Sequence, residues 1–402
     1  MIRHEACPIC DGDSLRLGMV CRGVPAHSVV LHHSRESAVV APCGDIALTA
    51  CEACGFVFNA AYDPSLHHYS DGYESTQSFS ETFTAFNETI AAEIADQTGD
   101  VGGPLVEVGC GQGEFLALLK ERGCDLLVGF DPAYDAARST VAGRPGIEVF
   151  ARTFDGDLVA GAPGAVICKM TLEHIAKPVA MLKQIAELAS RSRQCGIFVQ
   201  VPNAGAIFSL GGFWDIYYEH CNYFTVNTLS HALRRAGLEP VTITPAFTDQ
   251  YILAYARHAA GCGNVAAALE VQSELTRFER FCGAAARQCE EWRDKIRRWT
   301  TAGERIMSWG AGSKAVAFVS FTHAEGHLLA AIDINPRKSN TFLPGSGVPV
   351  LSPNQAKTCE GTIIILLNPV YRMEVERECS RLGIDASIVA LGGSECISAV
   401  GS

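Results

Sequence analysis

From residue 79 onward, short apolar runs alternate with segments in which apolar residues recur every three or four positions. The runs PLVEVG (104–109), LLVGFD (126–131), IEVFA (147–151), AVICKM (165–170), GIFVQVP (196–202) and YILAYARH (251–258) have the length and apolar content of strands. Helical periodicity marks residues 79–98, 114–122, 179–190 and 226–236. Strands that alternate with helices predict an α/β fold with a Rossmann-like, doubly wound parallel sheet.

The longest helical pattern covers residues 265–302, where an apolar stripe runs from Leu275 to Trp299 in steps of three and four. It predicts a helix that links two domains, with a homodimer seam as the alternative. Residues 303–402 repeat the strand–helix alternation, and residues before 60 hold short β-like runs at 38–40 and 56–58. We therefore expect four parts: an N-terminal domain (1–70), a core (71–260), a linking helix (261–302) and an incomplete Rossmann-like C-terminal domain (303–402).

Composition and charge narrow the class of protein. The chain has 402 residues, of which 48% are hydrophobic, and a formal net charge of −12. This charge argues against a nucleic-acid binder, and no apolar stretch approaches the roughly 18 residues of a membrane span. The start, MIRHEACPICDGDS, lacks the apolar segment of a secretory signal. We therefore expect a cytoplasmic protein whose 17 cysteines are thiols, metal ligands or small core residues.

Two Cys-x-x-Cys pairs stand near the N-terminus: Cys7 with Cys10, and Cys51 with Cys54. Each pair places two thiolates on one tight turn, and two such turns complete a tetrahedral Zn²⁺ site. A site closed by four protein ligands predicts a structural zinc that stabilises folding. The alternatives are a redox-active pair and replacement of one ligand by a nearby histidine (His27, His32 or His33).

A glycine-rich turn with Gly109, Gly111 and Gly113 follows the first core strand, and Glu107 precedes the glycines in that strand. Glycines at a strand–helix turn let a ligand approach the backbone at the helix N-terminus. The Gly-x-Gly-x-Gly spacing differs from the dinucleotide fingerprint, which leaves NAD binding as the weaker interpretation. Asp131 ends the next strand, where a carboxylate accepts hydrogen bonds from both hydroxyls of a ribose.

Two further segments, TFD with Phe154 and LEH with Glu173 and His174, follow the third and fourth strands. In this order the segments resemble the class I S-adenosylmethionine-dependent methyltransferases over roughly residues 79–258. The first motif of that family is commonly E/D-x-G-x-G-x-G. The resemblance implies that S-adenosylmethionine (AdoMet) binds to the glycine turn, the residues of these segments and Asp131. For Glu173 and His174, a structural loop beneath the cofactor is the alternative.

The run WDIYYEHCNYFT (214–225) is the densest group of reactive side chains in the chain. It follows the fifth core strand, at the edge where open α/β sheets place their chemistry. Methyl transfer to carbon requires removal of a proton next to a carbonyl, and His220 is the candidate base. Glu219 would support the ring, and Tyr217 would donate to the developing enolate oxygen. The alternative is an aromatic cap on the sheet.

A second glycine turn, SWGAGSK, joins a strand to a helix in the C-terminal domain. Its backbone N–H groups and Lys314 suit an anion such as a diphosphate. The alternative is a Rossmann-like domain used only for packing. The residues predicted to bind substrate in this domain are Gly310, Gly312, Ser313, Lys314 and Asp333.

The order of these modules resembles the zinc-containing sugar C-methyltransferases of antibiotic pathways, which act on nucleotide-linked keto-deoxysugars. In that family a tyrosine from the loop after the zinc domain reaches the active site, and Tyr73 is its best match here, with Tyr69 as the fallback. The sequence departs from the family in the second turn, which reads Gly-Ala-Gly-Ser-Lys rather than Gly-Ala-Pro-Ala-Lys. This departure lies among the residues predicted to bind the substrate.

The resemblance implies an AdoMet-dependent C-methyltransferase that acts through an enolate on a small molecule, with nucleotide-linked sugars among the candidates. One rival is O- or N-methylation of another natural-product intermediate. The rivals of another class are an NAD-dependent oxidoreductase and a non-catalytic scaffold that binds zinc and AdoMet. A monomer or a homodimer is expected, with no nucleic-acid or membrane partner.

Overall fold

The computed structural model describes residues 3–66, 72–99, 101–259, 268–359 and 363–392. The predicted boundaries near residues 70 and 260 fall in gaps between these ranges, as does Tyr69. Among the described residues, no helix combines the length and the apolar content that a bilayer span requires.

The N-terminal domain is built on a small antiparallel sheet. Its elements are β1 (Leu15–Pro25), α1 (Arg35–Val39), β2 (Cys43–Cys51) and β3 (Val57–Asn59). The predicted β-like run at 56–58 corresponds to β3, but the one predicted at 38–40 is wrong. The side chain of Ser34 accepts the N–H of Ser37 at 3.1 Å and so starts a helical turn there. This N-cap outweighs the β-propensity of the two valines that follow.

The core has the alternation that the sequence predicts. Its elements are α2 (Glu81–Thr98), β4 (Leu105–Val108), α3 (Glu114–Glu121), β5 (Leu127–Phe130), β6 (Ile147–Phe150), β7 (Ala165–Lys169), α4 (Pro178–Ala189), β8 (Gly196–Pro202), α5 (Ala204–Leu210), β9 (Asn222–Tyr223), α6 (Val226–Arg235), β10 (Leu238–Ala246) and β11 (Tyr251–His258). Seven of these strands form a sheet in the order β10-β11-β8-β7-β4-β5-β6.

The strand directions in this sheet fix where a site forms. The pairs β4–β5, β5–β6, β4–β7 and β7–β8 are parallel, whereas β11 is antiparallel to both β8 and β10. The carboxyl ends of β4, β5, β7 and β8 therefore meet at one edge. The strand β9 leaves this sheet and pairs with β3, so that it extends the N-terminal sheet instead.

The linking helix α7 (Ala268–Thr301) carries the predicted stripe, which faces the rest of the chain. Phe278, Ala285, Trp292 and Ile296 are buried in a cluster that also contains side chains of the N-terminal sheet and the C-terminal domain. The helix contacts α5 and β1. The stripe therefore serves packing within one chain, as the first of the two interpretations predicted.

The C-terminal domain is a second α/β unit. Its elements are β12 (Ile306–Trp309), α8 (Ser313–Thr322), β13 (Leu328–Ile332), β14 (Thr341–Phe342), β15 (Pro349–Leu351), α9 (Pro353–Ala356), β16 (Ile363–Leu366), α10 (Arg372–Leu382) and β17 (Ser387–Ala390). The sheet order is β14-β15-β13-β12-β16-β17, in which only the β14–β15 pair is antiparallel. The α/β fold and the Rossmann-like core are confirmed.

Candidate active site and cysteine cluster

A cavity of about 900 Å³ lies where the carboxyl edges of the two larger sheets face each other. One wall consists of the turns after β4, β5, β7 and β8, and the opposite wall of the turns after β12, β13 and β16. Residues 73–80, which we call the strap, form a further wall between the N-terminal domain and α2. Because both sheets direct their carboxyl ends at this space, it is the expected place for ligand chemistry.

The first glycine turn and the end of β5 form one hydrogen-bonded unit beside the cavity. Gly109, Gly111 and Gly113 have φ values of 77°, 55° and 85°, which favour glycine. Oδ2 of Asp131 accepts the N–H of Gly111 at 2.9 Å, and its Oδ1 accepts the N–H of Ala133 at 2.7 Å. Burial raises the pKa of Asp131. The turn is therefore held in shape by the same carboxylate that the sequence assigns to a ribose.

The three glycines differ in what surrounds them. A Cβ atom on Gly111 would meet no atom within 4 Å, and Gly111 lines the cavity. The open space therefore reaches the backbone there, as a bound nucleoside requires. A Cβ atom on Gly113 would lie 2.3 Å from the side chain of Val141, and Gly113 is not among the residues lining the cavity. Its role in this structure is to begin α3 in close contact with Val141.

Two carboxyl groups in the cavity wall are buried with oxygen atoms that lack hydrogen-bond partners. They are Oε2 of Glu107 and both carboxyl oxygens of Glu173. Burial raises the pKa of each residue to about 8, an effect that the nearby ammonium group of Lys169 partly opposes. Buried polar atoms without partners are rare, so these carboxyl groups are suited to bind a cationic ligand.

His220 lies in the cavity wall among aromatic and acidic neighbours. Its Nε2 lies 2.9 Å from the hydroxyl of Tyr217 and 4.0 Å from Oε1 of Glu173. The ring of His174 stands edge-on to it at 4.8 Å, and Nδ1 of His174 lies 3.0 Å from the carbonyl oxygen of Glu219. Burial lowers the pKa of His174 and raises that of Tyr217 well above its usual range. Tyr217 therefore keeps its proton, and its hydroxyl lies within hydrogen-bond distance of the His220 ring.

Glu219 joins three parts of the chain. Its Oε2 accepts the N–H of Ser28 at 3.1 Å and also the hydroxyl of Ser28, which lies 2.7 Å from the hydroxyl oxygen of Ser313. Nδ1 of His27 lies 3.8 Å from Oε1 of Glu219, and the His27 ring stands edge-on to Tyr73 at 6.2 Å. Residues 27 and 28 of the N-terminal domain thus contact a side chain that lines the cavity, and sequence reasoning missed this contact because no motif marks it.

The strap is fastened to both walls through Glu74, which is buried. Its Oε2 accepts from Arg138 at 2.6 Å and from Arg337 at 3.2 Å, and its Oε1 accepts from Asn335 at 3.1 Å. Arg138 also donates to the carbonyl oxygen of Tyr73 at 3.1 Å. Tyr73 is therefore held in the cavity wall by a charged contact between the core and the C-terminal domain.

The second glycine turn repeats the arrangement of the first. Oδ2 of Asp333 accepts the N–H of Ala311 at 2.9 Å and also the ammonium group of Lys338 at 3.2 Å. Lys314 forms an ion pair with Asp215 of the core. The lysine predicted to hold an anion is thus engaged in joining the two domains. The predicted residues of this domain that line the cavity are Gly310, Gly312, Ser313, Lys314 and Asp333.

The remaining predicted site residues also border the cavity. Phe154 does so with its ring edge-on to Phe130 at 5.4 Å. With the exception of Gly113, every residue predicted for the cofactor, for catalysis or for the substrate lines this one space. Lys169, which also lines it, was missed, although a charged residue inside the apolar run AVICKM is a recognisable signal.

The two Cys-x-x-Cys pairs converge away from the cavity. The four sulfur atoms lie within 4.8 Å of one another, with Cys7 and Cys54 at 3.7 Å and Cys10 and Cys51 at 3.5 Å. Three of the four residues are buried, and Cys10 is half-buried. Four thiols that converge on one point fit the donor set of a closed zinc site. This described cluster contains none of the three histidines considered as substitutes.

Comparison with known proteins shows which protein families and relatives the chain resembles. A family model for a methyltransferase domain matches residues 77–243, and one for a C-methyltransferase C-terminal domain matches residues 265–386. The chain is similar to C-methyltransferase NovU of Streptomyces niveus, with 26% identity over 293 residues that cover 68% of each protein. These findings support an AdoMet-dependent C-methyltransferase.

Among solved structures, the chain is similar to 1,6-didemethyltoxoflavin-N1-methyltransferase of Burkholderia thailandensis, with 17% identity, 45% of this chain and 82% of the other covered, and a TM-score of 0.34. It is also similar to magnesium protoporphyrin IX methyltransferase of Synechocystis, with 18% identity, 48% and 91% covered, and a TM-score of 0.35. The two family matches cover the core and the C-terminal domain in succession, and the glycine turn lies in the first of them. Together the two matches support a class I S-adenosylmethionine-dependent methyltransferase.

Proposed function

We propose that this enzyme methylates a carbon atom next to a ketone on a small-molecule biosynthetic intermediate. The match to a C-methyltransferase C-terminal domain and the similarity to NovU support transfer to carbon. A carbon of this kind becomes nucleophilic only when a base removes its proton and leaves an enolate. The observation that carries the proposal is the contact of 2.9 Å between Nε2 of His220 and the hydroxyl of Tyr217 in the cavity wall.

In this proposal, His220 is the base. Histidine is the side chain that ordinarily accepts and releases a proton near neutral pH, and Nε2 of His220 lies in the cavity wall beside the hydroxyl of Tyr217. The carboxyl group of Glu173, 4.0 Å from Nε2, would stabilise the imidazolium that forms. The hydroxyls of Tyr217 and Tyr73 would donate hydrogen bonds to the enolate oxygen. Glu219, through Ser28, would hold the loop that carries His220.

AdoMet supplies an electrophilic methyl group when it is bound. The open backbone at Gly111 and the half-buried carboxylate of Asp131 fit its ribose end, and Gly109 and Phe154 border the same space. Glu107 and Glu173 offer buried carboxyl oxygens to its positive charges. The strap covers this space and would exclude water from the enolate.

For the acceptor, we propose a keto intermediate bound between the two sheets, with nucleotide-linked sugars as the first candidates to test. The second glycine turn supports this placement because its residues line the same cavity as His220. Backbone N–H groups at such a turn bind phosphate oxygens. Lys314 would contribute only if a ligand replaced Asp215 as its partner.

The proposal is tested by solvent exchange with a keto substrate in D₂O, using S-adenosylhomocysteine in place of AdoMet. Wild-type enzyme should incorporate deuterium next to the ketone. The exchange rate of His220→Asn should be lower than that of wild type by about a hundredfold or more. His323→Asn, the same change at an exposed residue of the C-terminal domain, is the matched control and should exchange normally.

Full exchange by His220→Asn would exclude His220 as the base. In a second reaction with methyl-labelled AdoMet, a product with the labelled methyl group on oxygen or nitrogen, formed without exchange, would favour the rival methyltransferase classes. NMR of the recovered substrate locates the deuterium in the first reaction, and NMR of the product locates the methyl group in the second.

We also propose that Cys7, Cys10, Cys51 and Cys54 bind one structural Zn²⁺. The convergence of their sulfur atoms supports this assignment. Zinc bound by four thiolates has no open coordination position, so it would stabilise the N-terminal domain without taking part in catalysis. Because that domain provides Ser28, the metal would act on the active site indirectly.

A further inference from the structure

Among the described residues that line the cavity, three have a lysine or arginine side chain: Lys169, Lys314 and Lys338. Two of these form ion pairs: Lys314 with Asp215 across the domain interface, and Lys338 with Asp333 beside the second glycine turn. Lys169 differs because it belongs to the core and lies on the cofactor side of the cavity. Its role is not explained by the domain contacts.

Lys169 ends β7 and extends between two helices that flank the glycine turn. Its Nζ lies 5.4 Å from the ring centres of both Phe83 of α2 and Phe115 of α3. The carboxyl groups of Glu107, Glu114 and Glu173 face it, while burial lowers its pKa. An ammonium group in this position has aromatic walls on two sides and carboxyl groups on the cavity side.

We propose that Lys169 binds the α-carboxylate of AdoMet and thereby lets the enzyme distinguish AdoMet from analogues that lack this group. AdoMet carries a sulfonium, an ammonium and a carboxylate. The carboxyl groups of Glu107, Glu114, Asp131 and Glu173 suit the two cations, which favour the ionised form of these groups. In that form the groups repel the carboxylate of the ligand. Lys169 is the group on this side of the cavity that offsets that repulsion.

The aromatic walls strengthen the interaction. Phe83 and Phe115 keep water from the ammonium group, so an ion pair there is screened less than one on the surface. A charge-assisted hydrogen bond of this kind changes affinity by roughly 10- to 100-fold. The inference depends on AdoMet binding and is independent of which atom of the acceptor is methylated.

The test compares AdoMet with decarboxylated AdoMet, which keeps both cations and lacks only the carboxylate. Dissociation constants are measured by isothermal titration calorimetry, without an acceptor, at fixed salt and pH. Wild-type enzyme should bind AdoMet at least about tenfold more tightly than the decarboxylated form. The affinity of Lys169→Met for AdoMet should be about 10- to 100-fold lower than that of wild type. Its affinity for the decarboxylated form should equal or exceed that of wild type.

Lys183→Met, at an exposed position of α4, is the matched control and should keep the wild-type preference. If Lys169→Met lost affinity for both ligands equally, Lys169 would have a structural role and the proposal would be overturned. The wild-type comparison needs no variant, so it can overturn the proposal even if Lys169→Met fails to fold, in which case Lys169→Arg, which keeps the charge and should keep the preference, replaces it. A wild-type enzyme that binds both forms equally would also overturn the proposal.

Discussion

Replacing Glu173 by Gln tests whether the acidic wall of the cavity is uncharged in the ligand-free enzyme. Glu173 is 1% exposed, and burial raises its pKa from 4.5 to about 8. Between these two values, the folded protein keeps the proton and the unfolded chain has lost it. Stability is therefore greatest at the acidic end of this window and falls as the pH rises towards 8.

The size of the effect follows from the two pKa values. Each pH unit inside the window changes the free energy of unfolding by about 1.4 kcal/mol. From pH 6 to pH 9, ionisation of Glu173 should therefore lower the free energy of unfolding of the wild type by about 2.7 kcal/mol. Glutamine resembles the neutral acid in shape and does not titrate. Glu173→Gln should accordingly gain stability relative to wild type over this range.

Urea unfolding of the ligand-free proteins at several pH values between 6 and 9 measures this difference. Glu88→Gln, at an exposed position of α2, is the control and should follow the wild-type pH profile. The difference between variant and wild type matters here, because other groups, such as Glu107, titrate in both proteins. A constant difference between Glu173→Gln and wild type at all pH values would refute an uncharged Glu173.

Other substitutions test the remaining parts of the site. Elemental analysis of the wild type should find roughly one Zn²⁺ per chain, and Cys51→Ser should lose this zinc and have a lower melting temperature. Cys43→Ser, at an exposed cysteine, should keep both the zinc and the melting temperature of the wild type. Gly109→Ala places a Cβ 2.0 Å from the hydroxyl oxygen of Thr171 at a φ of 77°, so we expect about 2–4 kcal/mol of destabilisation by urea unfolding and a loss of AdoMet affinity by calorimetry. Glu74→Gln should lower the free energy of unfolding by about 2–3 kcal/mol and expose the strap to limited proteolysis, and unchanged proteolysis would contradict its fastening role.

The parts of this protein that the sequence predicted well are those with a local signal. A strand, a glycine turn and a helix follow one another within about fifteen residues, so their periodicity and their positive-φ glycines are visible without any distant contact. The same holds for the paired cysteines, whose spacing already describes half of a site. The helix at residues 35–39 was missed because its start depends on one serine cap rather than on periodicity.

The contacts that surround Glu219 could not be predicted in this way. Ser28 lies 191 residues before Glu219, and Ser313 lies 285 residues after Ser28. Neither serine belongs to a motif with Glu219, and only the packing of three separate sheets brings them together. The sequence favoured Glu219 as the support of His220, whereas the structure also places the carboxyl group of Glu173 4.0 Å from the ring.

The position of Ser28 connects the cysteine cluster with the chemistry. The turn that carries Ser28 directly follows β1, and β1 pairs with β2, which ends at Cys51. A change in the cluster would therefore move the strand that positions Ser28, and with it the carboxylate of Glu219. Since Glu219 precedes His220, loss of the metal should reduce proton removal more than AdoMet binding, because the glycine turn belongs to another sheet. In the proposed function, the N-terminal domain would thus help to position the base.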